Sequence, residues 1–303
     1  MSRIVLVSNR VADLSKASQA GGVAVAIADT LRARKGLWLG WSGKIGDRAD
    51  ELRTTPDISE LGGTTIATLP LSAREHDEYY TGYSNNVLWP VFHSRLDIAQ
   101  FEAGYYQRYL DVNKRFAVDR RRIYATGFSG GAILAWWLAE GTGSLAGVIS
   151  VGGRGNAPEK IKDVPFAWFG IAGNTDFNYI ETRDIEERLA ASGATRRFEA
   201  FDGGHRWAPK ELLRKSIEWM EMNAMRSGIR PVDPAAVARA FDGDVAGAEN
   251  ASDALDAIRR YESIARTYEG LKDLTAISDR IAVLKKSPAL AKAEEDDREA
   301  LKL

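Results

Sequence analysis

Cysteine is absent from this chain of 303 residues, which removes disulfides, a cysteine nucleophile and thiolate metal ligands. Long apolar runs are lacking too: none approaches the roughly 18 apolar residues that a membrane-spanning helix needs. The opening residues Met1–Arg10 hold only a short apolar stretch and no small-residue cleavage site, unlike a secretory signal. Charge of one sign is scarce. With 41 Lys and Arg against 42 Asp and Glu the net charge is −1, so no broad basic field draws nucleic acid or an anionic membrane. Histidine occurs three times, which restricts where imidazole chemistry can sit. These absences lead us to expect a soluble, cytoplasmic protein with no cofactor, no metal, and no nucleic-acid or membrane partner.

What is present is ordinary globular composition, 45% hydrophobic and 27% charged, over a length that suits one large α/β domain plus an appendage. Short β-branched or apolar runs predict strands at 4–8, 37–42, 64–69, 122–126, 146–151, 166–172 and 197–201. Helical patterning falls at 23–34, through much of 74–116, and at 132–140, 180–192 and 209–225. Strands alternating with helices predict a mostly parallel, doubly wound α/β sheet of the Rossmann-like or α/β-hydrolase-like kind. From Gly228 the character changes: Pro231 and Pro234 punctuate a linker, and Leu274, Ile277, Ile281 and Leu284 form one apolar stripe on a helix. A C-terminal helical appendage is expected, docking on the main domain or on a second copy by self-association.

Two groups of residues carry chemistry. In the back half, Gly127-Phe128-Ser129-Gly130-Gly131 fits Gly-x-Ser-x-Gly with a strand before it and a helix after it. A nucleophilic serine needs a sharp turn that lifts its hydroxyl clear of the backbone, and the glycines let strand and helix close around it. A plain tight βα turn would use the same glycines. Asp176 follows a later strand and His205 the next one, after Gly203-Gly204, giving the order Ser, Asp, His. In the front half, Trp41, Tyr80 and Trp89, taken singly, would each read as core aromatics.

Residues 119–225 resemble α/β-hydrolase esterases of the polyhydroxybutyrate-depolymerase and dienelactone-hydrolase-like kind. The resemblance rests on Arg122–Gly131, Ala172–Tyr179 and Phe201–His205. It implies Ser129 as nucleophile, His205 as general base, Asp176 as orienting acid and Gly130 as a backbone oxyanion donor. The early part of that fold, which carries the second donor, has no counterpart here. Residues 2–117 resemble a different family, the trehalose-6-phosphate synthases, which are retaining glycosyltransferases. That match rests on Val7–Arg10, Ala20–Gly22, Leu37–Gly43, Glu78–Tyr80, Asn85–Pro90 and Phe92–Asp97. It implies that Arg10, Trp41, Tyr80 and Trp89 hold glucose-6-phosphate and that Gly21 and Gly22 lie near donor phosphates. The family's nucleotide-sugar domain has no counterpart in the sequence.

The chain thus divides, chimera-like, at 1–118, 119–228 and 229–303. The strand at 4–8 is expected to pair beside that at 122–126 in one composite sheet, bringing Gly22 near Ser129 as the missing oxyanion donor. Two functions follow. The one favoured by the complete Ser–His–Asp set is a serine hydrolase of carboxylesterase type, acting on a small ester through an acyl-enzyme. The alternative is a trehalose-6-phosphate-synthase-like glycosyltransferase fragment that binds a sugar phosphate.

Overall fold

Strand β1 (Val5–Arg10) runs parallel to β2 (Leu37–Gly46), with Val5 opposite Leu37 and Arg10 opposite Trp41 in a computed structural model. The structure describes residues 5–11, 36–46, 56–61, 63–78, 81, 119–153 and 164–300. Beyond β2 lies β4 (Thr64–Ser72), also parallel, and outside it β3 (Asp57–Leu61) pairs antiparallel. The first sheet therefore has the order β1-β2-β4-β3. Its interior is built on Trp38, Leu39, Ile66 and Ala67, all buried. A single helical turn, Ala73–Glu75, leaves β4 through a capping box, in which Ser72 and Glu75 satisfy each other's backbone N–H groups.

The second sheet is parallel throughout, in the order β5 (Tyr124–Phe128), β6 (Gly147–Val151), β7 (Ala167–Gly173) and β8 (Arg196–Phe201). Helix α1 (Gly130–Thr142) joins β5 to β6, α2 (Tyr179–Ser192) joins β7 to β8, and α3 (Lys210–Arg226) follows β8. The alternation of strand side chains explains how both faces are covered. Val148 and Trp168 pack with Trp136 of α1 and with Ile185 and Leu189 of α2. Their neighbours in sequence, Ile149, Val151, Phe169 and Ile171, pack with Leu213, Trp219 and Met220 of α3. Helices thus cover both faces of the sheet.

Four helices make up the appendage: α4 (Pro234–Glu249), α5 (Ala254–Tyr268), α6 (Thr275–Lys285) and α7 (Pro288–Ala300). Asp233 and Asp253 cap α4 and α5 through their carboxylates, and Pro234 stands at the first helical position. The apolar stripe of α5 (Ile264, Tyr261, Tyr268) meets Met222 and Met225 at the end of α3, with Val237 and Ile277 completing the cluster. This places the appendage on the same chain's second sheet domain, as one of the two expected dockings required.

The fold is α/β with mostly parallel sheets, as expected, and three differences stand out. Strand β3 was not foreseen. Residues 120–122 form a 3₁₀ turn, and β5 begins two residues later than the sequence suggested. As for the expected pairing of the first strand beside that before Ser129, among the described residues β1 pairs with β2 and β5 with β6, each at the end of a four-stranded sheet. The helix expected at 23–34 and most of the helical stretch expected at 74–116 lie outside the described residues.

Candidate functional site

The turn between β5 and α1 is sterically unusual. Ser129 is the one described non-glycine residue with a positive φ, at φ 55° and ψ −121°, a conformation that costs roughly 1–3 kcal/mol for a residue with a Cβ. The surroundings hold it there. Its N–H donates to the Val151 carbonyl at 2.8 Å, and its carbonyl accepts from Ala132 N–H at 2.9 Å. Gly127 is obligatory, because a Cβ at that position would lie 2.0 Å from the Gly131 carbonyl oxygen. Gly153, at the end of the neighbouring strand, would likewise meet the Ser129 carbonyl oxygen at 2.4 Å. Serine therefore stands on a turn made tight by glycines on both sides of it.

Asp176 follows β7, is 5% exposed, and accepts the Asn178 N–H at 2.8 Å. His205 follows β8. Its Nδ1 lies 3.0 Å from both carboxylate oxygens of Asp176, and its Nε2 lies 3.0 Å from Ser129 Oγ. In the tautomer with its proton on Nδ1, the ring donates to Asp176 and its Nε2 accepts from the serine hydroxyl. Phe128 and Phe177 flank the imidazole, with ring centroids 4.7 and 4.3 Å away. Asn178, which donates to the Gly152 carbonyl at 2.8 Å, fixes the loop behind Asp176. The flanking roles of Phe177 and Asn178 were missed in the sequence reading, although both sit in the stretch that carried the hydrolase resemblance. Three residues from three strand ends thus meet as the sequence order implied, and Gly130 opens helix α1 beside them.

The residues expected to hold a sugar phosphate are only partly in view. Arg10 closes β1 opposite Trp41. Trp41 is buried, its indole N–H donates to the Lys44 carbonyl at 2.8 Å, and its ring lies 5.3 Å from that of His76. His76 was not singled out from the sequence, since nothing in its spacing ties it to Trp41. Gly21, Gly22, Tyr80 and Trp89 lie outside the described residues.

Residues 5–127 match the model of Glycosyltransferase family 20. Among particular proteins, the chain is similar to the trehalose-6-phosphate synthase of Klebsiella pneumoniae, with 48% identity over 118 residues, 39% of this chain and 24% of that protein. It is similar to the trehalose-6-phosphate synthase of Cronobacter sakazakii at 47% over 119 residues, again 39% of this chain and 24% of that protein. A solved α,α-trehalose-phosphate synthase (UDP-forming) from Burkholderia vietnamiensis shares 29% identity, covering 67% of this chain and 48% of its own, with a TM-score of 0.40. The chain spans about a quarter of the length of the curated relatives it matches.

These matches correct the function favoured by the sequence. The family and the relatives are glycosyltransferases, not carboxylesterases, and they support the reading that had been placed second. A Ser–His–Asp arrangement defines roles for its atoms, but it does not by itself name a substrate.

Proposed function

We propose that the front segment of this chain binds a sugar phosphate, in the manner of the glucose-6-phosphate half-site of a trehalose-6-phosphate synthase. The observation that carries the proposal is the 48% identity over 118 residues to an enzyme of that name. The family match at residues 5–127 runs through the stretch that holds Arg10, Trp41, Tyr80 and Trp89. Arg10 would receive the phosphate, a dianion that suits a planar guanidinium with paired donors. Trp41, Tyr80 and Trp89 would frame the sugar ring, with Gly21 and Gly22 near the phosphates of a second ligand. The proposal is one of binding; glucosyl transfer is not part of it. Titration calorimetry with glucose-6-phosphate tests it. Saturable binding weakened at least tenfold by Arg10→Ala is expected, and equal binding by both folded proteins would refute the assignment.

Separate roles are proposed for the three residues of the second sheet, on the strength of the two 3.0 Å contacts that His205 makes to Ser129 and Asp176. Ser129 Oγ would be the nucleophilic atom, His205 its base, Asp176 the group that orients the ring, and the Gly130 amide a donor to developing negative charge at the helix N-terminus. No carboxylic ester is assigned to them. A fluorophosphonate probe reads the serine directly: labelling of the wild-type chain, lost in Ser129→Ala and strongly slowed in His205→Gln, is the expected pattern. Absence of labelling in the folded wild type would remove these roles without touching the sugar-phosphate proposal.

A further inference from the structure

The two in-plane contacts of His205 leave one freedom open. Nδ1 faces Asp176 and Nε2 faces Ser129 Oγ, each at 3.0 Å. The ring can still roll about the line through its two nitrogens, which keeps both distances and spoils the aim of the Nε2 lone pair at the serine hydroxyl. Two benzene rings occupy the space that such a roll needs. Phe177 and Phe128 have their centroids 4.3 and 4.7 Å from that of the imidazole, tilted by 35° and 37°. Rings meeting edge to edge at such tilts stand further apart, so both lie over the flat of the imidazole.

The two rings are held in different ways. Phe128 ends β5, is half-buried against the core under α3, and leans on Trp207 with centroids 5.5 Å apart. Phe177 is 75% exposed and so adds little to the core. The ring contact that it makes among the described residues is with His205. Its neighbours hold it there. The Asp176 N–H donates to the Gly173 carbonyl at 3.0 Å, the Asp176 carbonyl accepts the Tyr179 N–H at 2.9 Å, and the Asn178 side chain donates to the Gly152 carbonyl at 2.8 Å. Consecutive residues thus serve one imidazole, Asp176 at its edge and Phe177 on its flat.

We propose that Phe177 is a positioning residue for His205. Its ring stops the imidazole from rolling and presents a π face to the positive charge that forms when Nε2 takes the serine proton. The proposal rests on the roles assigned above to Ser129, His205 and Asp176. A cation over an aromatic face at an exposed site gains roughly two- to fivefold in an equilibrium constant, and restraint of the ring adds to this.

The rate of labelling by a fluorophosphonate tests it; in that step Ser129 Oγ bonds to phosphorus, fluoride leaves, and the hydroxyl proton passes to His205 Nε2. Because Phe177 is exposed, its variants are expected to keep the wild-type unfolding midpoint in urea. Phe177→Ala should label at least fivefold more slowly, and Phe177→Leu at least threefold, since leucine has bulk but no π face. Phe177→Tyr keeps the ring and should stay within twofold of wild type. The same ratios are expected with an alkyl-tailed and a polyethylene-glycol-tailed probe. A wild-type rate in Phe177→Ala or Phe177→Leu overturns the inference and leaves the three roles standing. Slowing confined to the alkyl-tailed probe does the same, because Phe177 would then be a contact for the probe. Should Phe177→Ala lower the midpoint, Phe177→Leu against Phe177→Tyr decides by the same ratios. A folded wild type that does not label removes the roles and this inference together.

Discussion

Arg197 and Asp244 form a two-pronged ion pair, Nη1 to Oδ2 at 2.8 Å and Nη2 to Oδ1 at 2.7 Å, with the two residues 4% and 7% exposed. The pair joins strand β8 to helix α4 and so fastens the helical appendage to the second sheet. Glu199 and Lys215 complete the group, Lys215 lying 2.7 Å from Glu199 and 3.0 Å from Asp244, and the Tyr268 hydroxyl donates to Asp244 at 2.9 Å. Removing one member strands the others in a dry setting. Asp244→Ala is expected to cost about 3–5 kcal/mol of unfolding free energy, measured by urea denaturation, because the Arg197 and Lys215 cations are left to share the single carboxylate of Glu199.

The same pair sets a pH dependence. Burial alone would raise the Asp244 carboxyl, but the Arg197 and Lys215 charges outweigh it and hold the group well below the usual carboxylate range. Glu199 is held low for the same reasons. A carboxyl depressed in the folded state stabilises fully above its unfolded pKa, near ~4, and the contribution is lost as pH falls through the folded value. The stability difference between wild type and Asp244→Asn should therefore be flat from pH 5 to pH 8 and narrow below about pH 4. Denaturation at a series of pH values checks this; a difference that grows on acidification would contradict it.

The apolar half of the same junction is testable on its own. Ile264 is 1% exposed in the cluster that joins α5 to Met222 and Met225 of α3. Ile264→Ala should cost about 2–5 kcal/mol through lost burial and the cavity left behind. If the appendage were an independent unit, the variant would melt in two steps with the sheet transition unmoved. A single cooperative transition, shifted down as a whole, is expected instead.

The turn at Ser129 stores strain that substitution can release or worsen. Ser129→Gly should gain about 1 kcal/mol, because glycine adopts a positive φ without the penalty of a Cβ. Gly127→Ala should lose on the order of 3 kcal/mol or more, since its Cβ would meet backbone at 2.0 Å and not a flexible side chain. Chemical denaturation of the two variants checks the opposite signs.

Legibility of the fold followed the physics of each element. The strands at 147–151 and 167–173 are buried on both faces, so they stood out as apolar runs, with α1 before the first and α2 after the second. Strand β3 was not legible because all five residues, Asp57 to Leu61, are exposed and its pairing is antiparallel at a sheet edge. The convergence of Ser129, Asp176 and His205 could be read because each follows a strand of one parallel sheet, where the chain order fixes the side on which the loops emerge. The buried Arg197 could not, since a charged residue in Arg196-Arg197-Phe198-Glu199 looks like a solvated edge until Asp244 arrives 47 positions later. The function was less legible for a related reason: the Ser–Asp–His order is compact and local, whereas the likeness to trehalose-6-phosphate synthases is spread over more than a hundred residues.

Titration of glucose-6-phosphate into the full chain, with unphosphorylated glucose and the Arg10→Ala variant in parallel, tests the sugar-phosphate assignment most directly. Saturable heat for glucose-6-phosphate is expected, at least tenfold weaker in Arg10→Ala and with no saturation for glucose. Equal binding of glucose-6-phosphate by the wild type and a folded Arg10→Ala, or none by the wild type, would contradict it.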